Sequence, residues 1–382
     1  GLDIGLRVFI GQRQAIISSS DTDPAGFARL AEQAVAMARV VPADPFCGLL
    51  DARPAPDATP LDLHDPSEPS AEALIERAAI AEEAALAVAG VTNSEGAEAG
   101  WSRLRIAMVT SGGFAGEYAR TGHSISATAL AGSGTAMERD YDYSSAVHLA
   151  DLEEAGLIGR RAGEQAVSRL NPRRPATARL PVVYAPRVSG SLIGHLSSAI
   201  NGAAVARGTS FLKDSMGKRV LAAGLRVVDD ATRPRGPRSR PFDAEGTPCA
   251  PLALVEDGVL MSWLLDGRSA RQLKLASTGH ASRGTGGPPS PSATNLWLAP
   301  GSATPAELMA DIREGLYITE MIGMSVNAVT GDYSRGASGF MIRNGQLAEA
   351  VSEITVAGKL QEMFLHMTPA SDLIFKRGTD AP

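Results

Sequence analysis

"PRVSGSLIGHLSSAING", residues 186–202, is the stretch on which the reading of this chain turns. It reads as a helix that carries one histidine, His195, and no carboxylate. A zinc hydrolase site built on a helix needs two imidazoles on one face and an acid placed to handle the proton of a bound water. Here the neighbours of His195 at three to five residues are apolar, Gly or Ser, and none can supply a second metal bond. Two readings stay open for His195: a residue packed or hydrogen-bonded at an interface, or a ligand completed by distant residues.

Outward from this helix, the chain changes character on either side. Upstream, "ARLPVVYAP" is a short strand, and before it Asn171 and Pro172 stop a helix expected over 152–170. A boundary near 171–179 divides the chain into an N-terminal α+β domain, 1–175, and a C-terminal, β-rich α+β domain, 176–382. The length of 382 residues exceeds what one core commonly serves. In the first part, two apolar runs flank a Gly-Gln turn, and a helix is expected with Asp23 as N-cap and Pro24 first inside. Phe27, Leu30, Ala34, Met37 and Val41 fall on one face of it. Residues 42–69 read as a long surface connection. A second helix follows Ser70, with Leu74, Ala78, Ala81, Ala85 and Val88 as its buried stripe, and then come strands. In the second part, Asp257-Gly258 and Asn344-Gly345 stand between apolar runs and predict hairpins. "TPAELMADIREGLYI", 304–318, predicts a helix capped by Thr304, and Gly358–His366 a last one. Strands in runs with grouped helices favour α+β with antiparallel and mixed sheets over a doubly wound sheet.

Composition narrows the function. The chain is 44% hydrophobic and 20% charged, with net charge −6. The acidic balance argues against nucleic acid as a partner; its one basic segment, "RPRGPRSRP" at 233–241, reads as a solvated loop or, failing that, a nucleic-acid contact. No apolar run reaches the ~20 residues that span a bilayer, so no membrane is expected. Cys47 and Cys249 lie far apart and outside any metal-type spacing, which predicts free thiols in a reducing cytoplasm. Gly1 falls inside what reads as a strand, so an N-terminus further upstream is expected.

Four stretches could carry chemistry besides His195. In "VTGDYSRGASGF", 329–340, glycines surround Asp332, Tyr333, Ser334 and Arg335; the stretch reads as a tight turn with an Asp–Arg pair, or as the lining of a polar cleft for peptide backbone. It lacks the P-loop pattern. In "RPFDAEGTP", Asp243 and Glu245 stand two apart and would share a face if extended, either as an acid–base pair or as salt-bridged carboxylates. His280, near Ser277 and Thr278, lies in a turn without a nucleophile elbow. "MERDYDYS", 137–144, alternates acids and tyrosines, as a strand with one polar face that serves a binding surface or a subunit contact.

The blocks "AMERDYDYS", "RLNPRRPATARLPVVYAP", "GHLSSAINGAAVARGTSFLKDSMGKRV", "RPFDAEGTP", "LLDGRSARQLKLASTGHA" and "VTGDYSRGASGFMIRNGQ" followed by "VSEITVAGKL" resemble the TldD/PmbA family, specifically its PmbA/TldE branch, long described as a modulator of DNA gyrase. The resemblance covers nearly the whole chain in order; the family's usual first stretch and most of its last apolar strand are missing. It implies a two-domain α+β protein and a cytoplasmic metallopeptidase made of a TldD-type and a PmbA/TldE-type subunit. That complex is expected to cleave unfolded or extended peptides in an enclosed channel. Zinc belongs on the TldD-type partner, on a helix bearing HExxxH and completed by a Cys. Anchored on "RGTSF", Ile193 falls at the first His, Gly194 at the Glu and Ser198 at the second His. The expectation is therefore a chain with no catalytic residue and no metal or cofactor of its own. Asp332, Tyr333, Ser334, Arg335, Asp243, Glu245 and His280 are the candidates for the substrate cleft or its scaffold. The alternatives are a self-sufficient metallopeptidase with ligands such as His195, His280 and Cys249, and a regulator that binds gyrase. A homodimer is expected for the chain in isolation.

Overall fold

The computed structural model describes residues 1–323 and 325–382. The fold is α+β. Strands β1 (Ile4–Ile10) and β2 (Arg13–Ser19) form an antiparallel hairpin, with Gly11 at φ 56° in its turn. The Asp23 carboxylate accepts the Ala25 N–H, but it caps a short 3-10 turn at Pro24–Gly26 that precedes helix α1 (Phe27–Val40). The buried side of α1 is Ala34 and Ala38; Phe27 and Met37, expected on its apolar face, are 42% and 43% exposed. The two-stranded hairpin packs against this helix, and small side chains let it lie close while the larger ones stay outside.

Helix α2 (Ala71–Leu86) starts where Ser70 Oγ accepts the Ala73 N–H. Strands β3 (Val91–Val109), β4 (Ala115–Ala131) and β5 (Glu138–Ala146) form an antiparallel sheet, followed by helix α3 (Ala155–Ser168). Ile125, Ala127, Ala129 and Ala131 of β4 face Ala81 and Ala85 of α2 and Ile158, Ala162 and Ala166 of α3 in a core of small residues. Segment 42–69 is irregular, as expected, yet it is not all surface. Leu61 and Leu63 are buried, and the Asp65 carboxylate accepts the N–H groups of Ser67 (2.8 Å) and Leu149 (2.6 Å).

The second half opens with β6 (Val182–Tyr184), α4 (Pro186–Ala199) and α5 (Gly202–Ala206). Strands β7 (Val227–Asp229), β8 (Leu252–Glu256) and β9 (Val259–Leu260) follow, then α6 (Gly267–Leu273) and the short pair β10 (Ala281–Ser282) and β11 (Ser290–Pro291). Next come β12 (Leu296–Leu298), α7 (Pro305–Ala310), β13 (Glu314–Ile322), β14 (Asp332–Arg343), β15 (Gln346–Lys359), α8 (Leu360–Leu365) and β16 (Thr379–Asp380). Two sheets result, in the orders β16-β12-β7-β8-β9 and β15-β14-β13-β6. Leu192, Ile193 and Leu196 of α4 join the larger core with Leu254, Leu264, Leu296, Leu360 and Phe364. Both predicted hairpins form: Asp257 and Gly258 take φ 47° and 75°, and Asn344 and Gly345 take 48° and 78°, as type I′ turns require.

Three elements differ from the sequence reading. The helix expected over 304–318 stops at Ala310, although Thr304 and Glu307 do form a reciprocal capping box. Residues from Glu314 onward extend instead, because β14 on one side and β6 on the other claim their backbone hydrogen bonds. The last helix begins at Leu360, since β15 runs on to Lys359. The glycine-rich stretch 329–340 is no tight turn: from Asp332 it is strand β14, paired on both edges. Gly339 is required there, because a Cβ would lie 2.0 Å from the Tyr317 carbonyl oxygen.

Arginines tie the two halves. Arg169 donates to Glu320 (2.5 Å), Ser338 (2.8 Å) and Asp140 (3.2 Å). Arg271 donates to the carbonyls of Phe46, Gly48 and Leu49. Three arginines of the 233–240 loop are likewise engaged within the chain. Arg235 pairs with Asp62 and Asp151, Arg238 reaches Thr379, and Arg233 stacks 3.4 Å from the Phe375 ring centre.

Candidate functional site

Helix α4 turns one side to the core and leaves another open. Ile193 and Leu196 are fully buried. At 100° per residue, positions 187, 191, 194, 195 and 198 share a different side. A Cβ on Gly194 would meet nothing within 4 Å, and Ser198 is exposed with its Oγ donating to the Gly194 carbonyl at 3.0 Å. Above this side lies a polar cluster. The His195 ring stands edge-on to Tyr333, with centroids 5.8 Å apart. His195 Nε2 and the hydroxyls of Tyr184, Ser191 and Tyr333 are buried, with the Tyr184 and Tyr333 hydroxyls turned toward each other. Burial holds the His195 imidazole below its ordinary pKa, and the Arg335 guanidinium pushes it the same way, so the ring is neutral at pH 7. Burial also raises both tyrosines, Tyr184 and Tyr333.

Of the three positions aligned with HExxxH, Ile193 is sealed in the core, Gly194 has no side chain and Ser198 offers only a hydroxyl. His195 brings one imidazole. Among the described residues, no group of three or more His, Cys, Asp or Glu side chains converges as metal ligands. Burial pushes the Cys249 thiol up to about 12, and its Sγ donates to the Gly279 carbonyl.

The other candidates fall into two places. Strand alternation sends Tyr333 and Arg335 inward beside His195, and Asp332 and Ser334 outward. Arg335 Nε donates to the Gly323 carbonyl at 2.8 Å, and Asp332 accepts from Thr330 Oγ1 at 2.6 Å, so no Asp332–Arg335 pair forms. Asp243, Glu245 and His280 belong to a second place. The Asp243 carboxylate, 1% exposed, accepts the N–H groups of Glu245, Thr247 and Ala281 at 2.9–3.0 Å and so organises a turn rather than an extended segment. Glu245 is 3.5 Å from Arg7 and accepts the Gly267 N–H at 2.6 Å. Burial raises the pKa of both carboxyls, yet each is held by its own partners. His280 sits 3.1 Å from Asp229 through Nε2 and 2.7 Å from the Thr278 carbonyl through Nδ1. The sequence reading missed Tyr184 and Ser191. Nothing in a single tyrosine on a three-residue strand marks it, because only the β6–β13 pairing brings it beside Tyr333.

Two cores, two mixed layers and a central helix with an open side of small residues beside a buried polar cluster define the class: a multi-domain α+β protein. The chain belongs to the PmbA/TldA metallopeptidase family. Its models match as domain 1 over residues 1–38, the central domain over 64–170 and the C-terminal domain over 177–382. The chain is 37% identical over 377 residues to metalloprotease PmbA of Escherichia coli O157:H7, covering 98% of this chain and 82% of that one. It is 34% identical to the Haemophilus influenzae metalloprotease PmbA homolog, with the same shares covered. In fold it is similar to TldE from Thermococcus kodakarensis, with TM-score 0.85 and 19% identity over 99% of this chain and 87% of that one. It is also similar to a Thermotoga maritima protein solved as a candidate modulator of a DNA gyrase, with TM-score 0.86 and 22% identity over 100% and 86%.

Proposed function

We propose that this chain is the PmbA/TldE-type, metal-free subunit of a heteromeric TldD/TldE-type metallopeptidase that works on unfolded peptides in the cytoplasm. The observation that carries the reading is the set of α4 positions that the resemblance matches to the metal motif: Ile193 faces the core, Gly194 faces open space and Ser198 is a hydroxyl. A TldD-type partner supplies the zinc. This chain supplies a wall whose small residues leave room for a main chain. Recognition through backbone groups tolerates many sequences, which suits an unfolded substrate. Asp332, Tyr333, Ser334 and Arg335 stand beside that wall, and Asp243, Glu245 and His280 hold its scaffold. The two units are residues 1–175 and 176–382. The gyrase-regulator reading draws less support, because the arginines at 233, 235 and 238 are already engaged within the chain.

The test is reconstitution. Cleavage of an unfolded, fluorogenic peptide is expected when the chain is mixed with a TldD-type partner, and only background with either alone. Zinc-dependent hydrolysis by this chain alone, with near-stoichiometric metal, would overturn the reading.

A further inference from the structure

The cation at residue 377 is the feature least explained by what surrounds it. Tyr141, Asp142 and Tyr143 of β5, Gln165 of α3, Arg187 of α4 and Arg377 line a cavity of about 80 Å³ at the seam of the two halves. Asp142 is paired at 2.5 Å with Arg161. Arg187 donates to Asp140 at 2.7 Å and to Gln165, and its guanidinium lies 4.5 Å over the Tyr141 ring. Asp140 is shared with Arg169. Arg377 has no such partner among the described residues. Its contacts are the Pro186 carbonyl at 3.4 Å and Tyr143, whose hydroxyl it reaches and whose ring centre lies 5.6 Å away. The nearby Asp380 is buried and spends its oxygens on the N–H groups of Lys376, Arg377 and Gly378. The lining side chains thus sum to one positive charge, with the stacked tyrosines Tyr141 and Tyr143 as a wall.

We propose that this cavity binds a small oxyanion group, a carboxylate or a phosphate, with Arg377 as its principal partner and Arg187 and the tyrosine hydroxyls beside it. A guanidinium presents a planar fork that matches such a group in two hydrogen bonds. A bound water takes about 30 Å³, so the space suits one such group and not a nucleotide. Arg187 lies on the same side of α4 as Ser191, Gly194 and Ser198, about 10 Å along the axis from Gly194 at 1.5 Å per residue. Extended backbone crosses that distance in about three residues. One source of the group is therefore the C-terminal carboxylate of a peptide laid along α4; the other is free phosphate.

Calorimetric titration of the chain alone separates these, using trialanine, trialanine amide and inorganic phosphate as probes. A saturable signal is expected from trialanine or phosphate and none from the amide. Arg377→Met should weaken it about tenfold, the worth of one charge-assisted hydrogen bond, and Arg377→Lys less. Trialanine binding that phosphate displaces assigns a peptide carboxylate; phosphate binding alone assigns the free anion. Should Arg377→Met not fold, Arg377→Lys against wild type decides the matter. No binding by either anion, equal binding of the amide, or affinity unchanged in the variants overturns the proposal. No partner subunit enters the experiment, so its failure leaves the reconstitution assay untouched, and the reverse.

Discussion

At Gly159 the absence of a side chain is what lets α3 lie on α2. A Cβ there would stand 1.8 Å from the Ala81 carbonyl oxygen and 2.7 Å from its carbon, backbone that a rotamer change cannot move. Gly159→Ala is expected to destabilise the fold by about 3 kcal/mol, the upper range for overpacking, read by chemical denaturation. Unchanged stability would mean that the helices separate freely. Asp65 offers a test with pH. Hydrogen bonds from the Leu149 and Ser67 amides hold its carboxyl well below the ordinary carboxylate range. A depressed folded-state pKa stabilises the protein above the unfolded value, about pH 4, and the benefit disappears as pH falls through the folded value. Asp65→Asn should therefore lower the melting temperature at pH 7, with the gap to wild type narrowing below about pH 4. A gap that does not change with pH would assign the loss to packing. The residue scale is also where the sequence was least informative about the site. His195 and Tyr333 were singled out from their neighbours in the chain, but Asp243 and His280 show there only their type, not that each is consumed by backbone and Asp229 partners.

Among the elements, α3 and β13 are joined by one side chain. Arg169, just past the end of α3, is 12% exposed and reaches Glu320 of β13, Ser338 of β14 and Asp140 of β5. Removing it leaves Asp140, 3% exposed, with Arg187 as its one arginine beside the Tyr141 N–H, and leaves Glu320 without its arginine. Breaking a buried pair from one side costs more than the pair contributes, because the other charge stays desolvated. Arg169→Met is expected to cost about 3 kcal/mol and to speed proteolytic cleavage in the 171–179 connection. Cleavage at the wild-type rate would show that the halves hold together without it. Element boundaries were legible where local chemistry sets them: Ser70 and Thr304 cap their helices, and Asp-Gly and Asn-Gly turn their hairpins. They were not legible at 311–322 and 329–340, where strand identity comes from partners far along the chain.

For the whole molecule, the surface matters as much as the cores. Ile75, Leu104 and Val109 are 69%, 54% and 80% exposed. Among the described residues, no helix is long and apolar enough to cross a membrane. If the proposed function holds, peptidase activity in the reconstitution assay should rise with added partner until the two are equimolar and then level. Activity that climbs in proportion to partner, with no break, would mean that this chain is a bystander.

By itself the sequence determined the family, the α+β class, the helix caps and the two type I′ hairpins. Each of these depends on residue identities within a few positions of one another, where steric and hydrogen-bonding preferences act directly. Only the tertiary structure decided that 332–343 is a strand, that Asp243 and His280 brace the fold, that Tyr184 and Ser191 join His195, and that Arg377 meets Arg187 and two tyrosines at a seam. Those facts depend on which distant segments complete each other's hydrogen bonds and exclude water, and that pairing is a property of the folded chain as a whole.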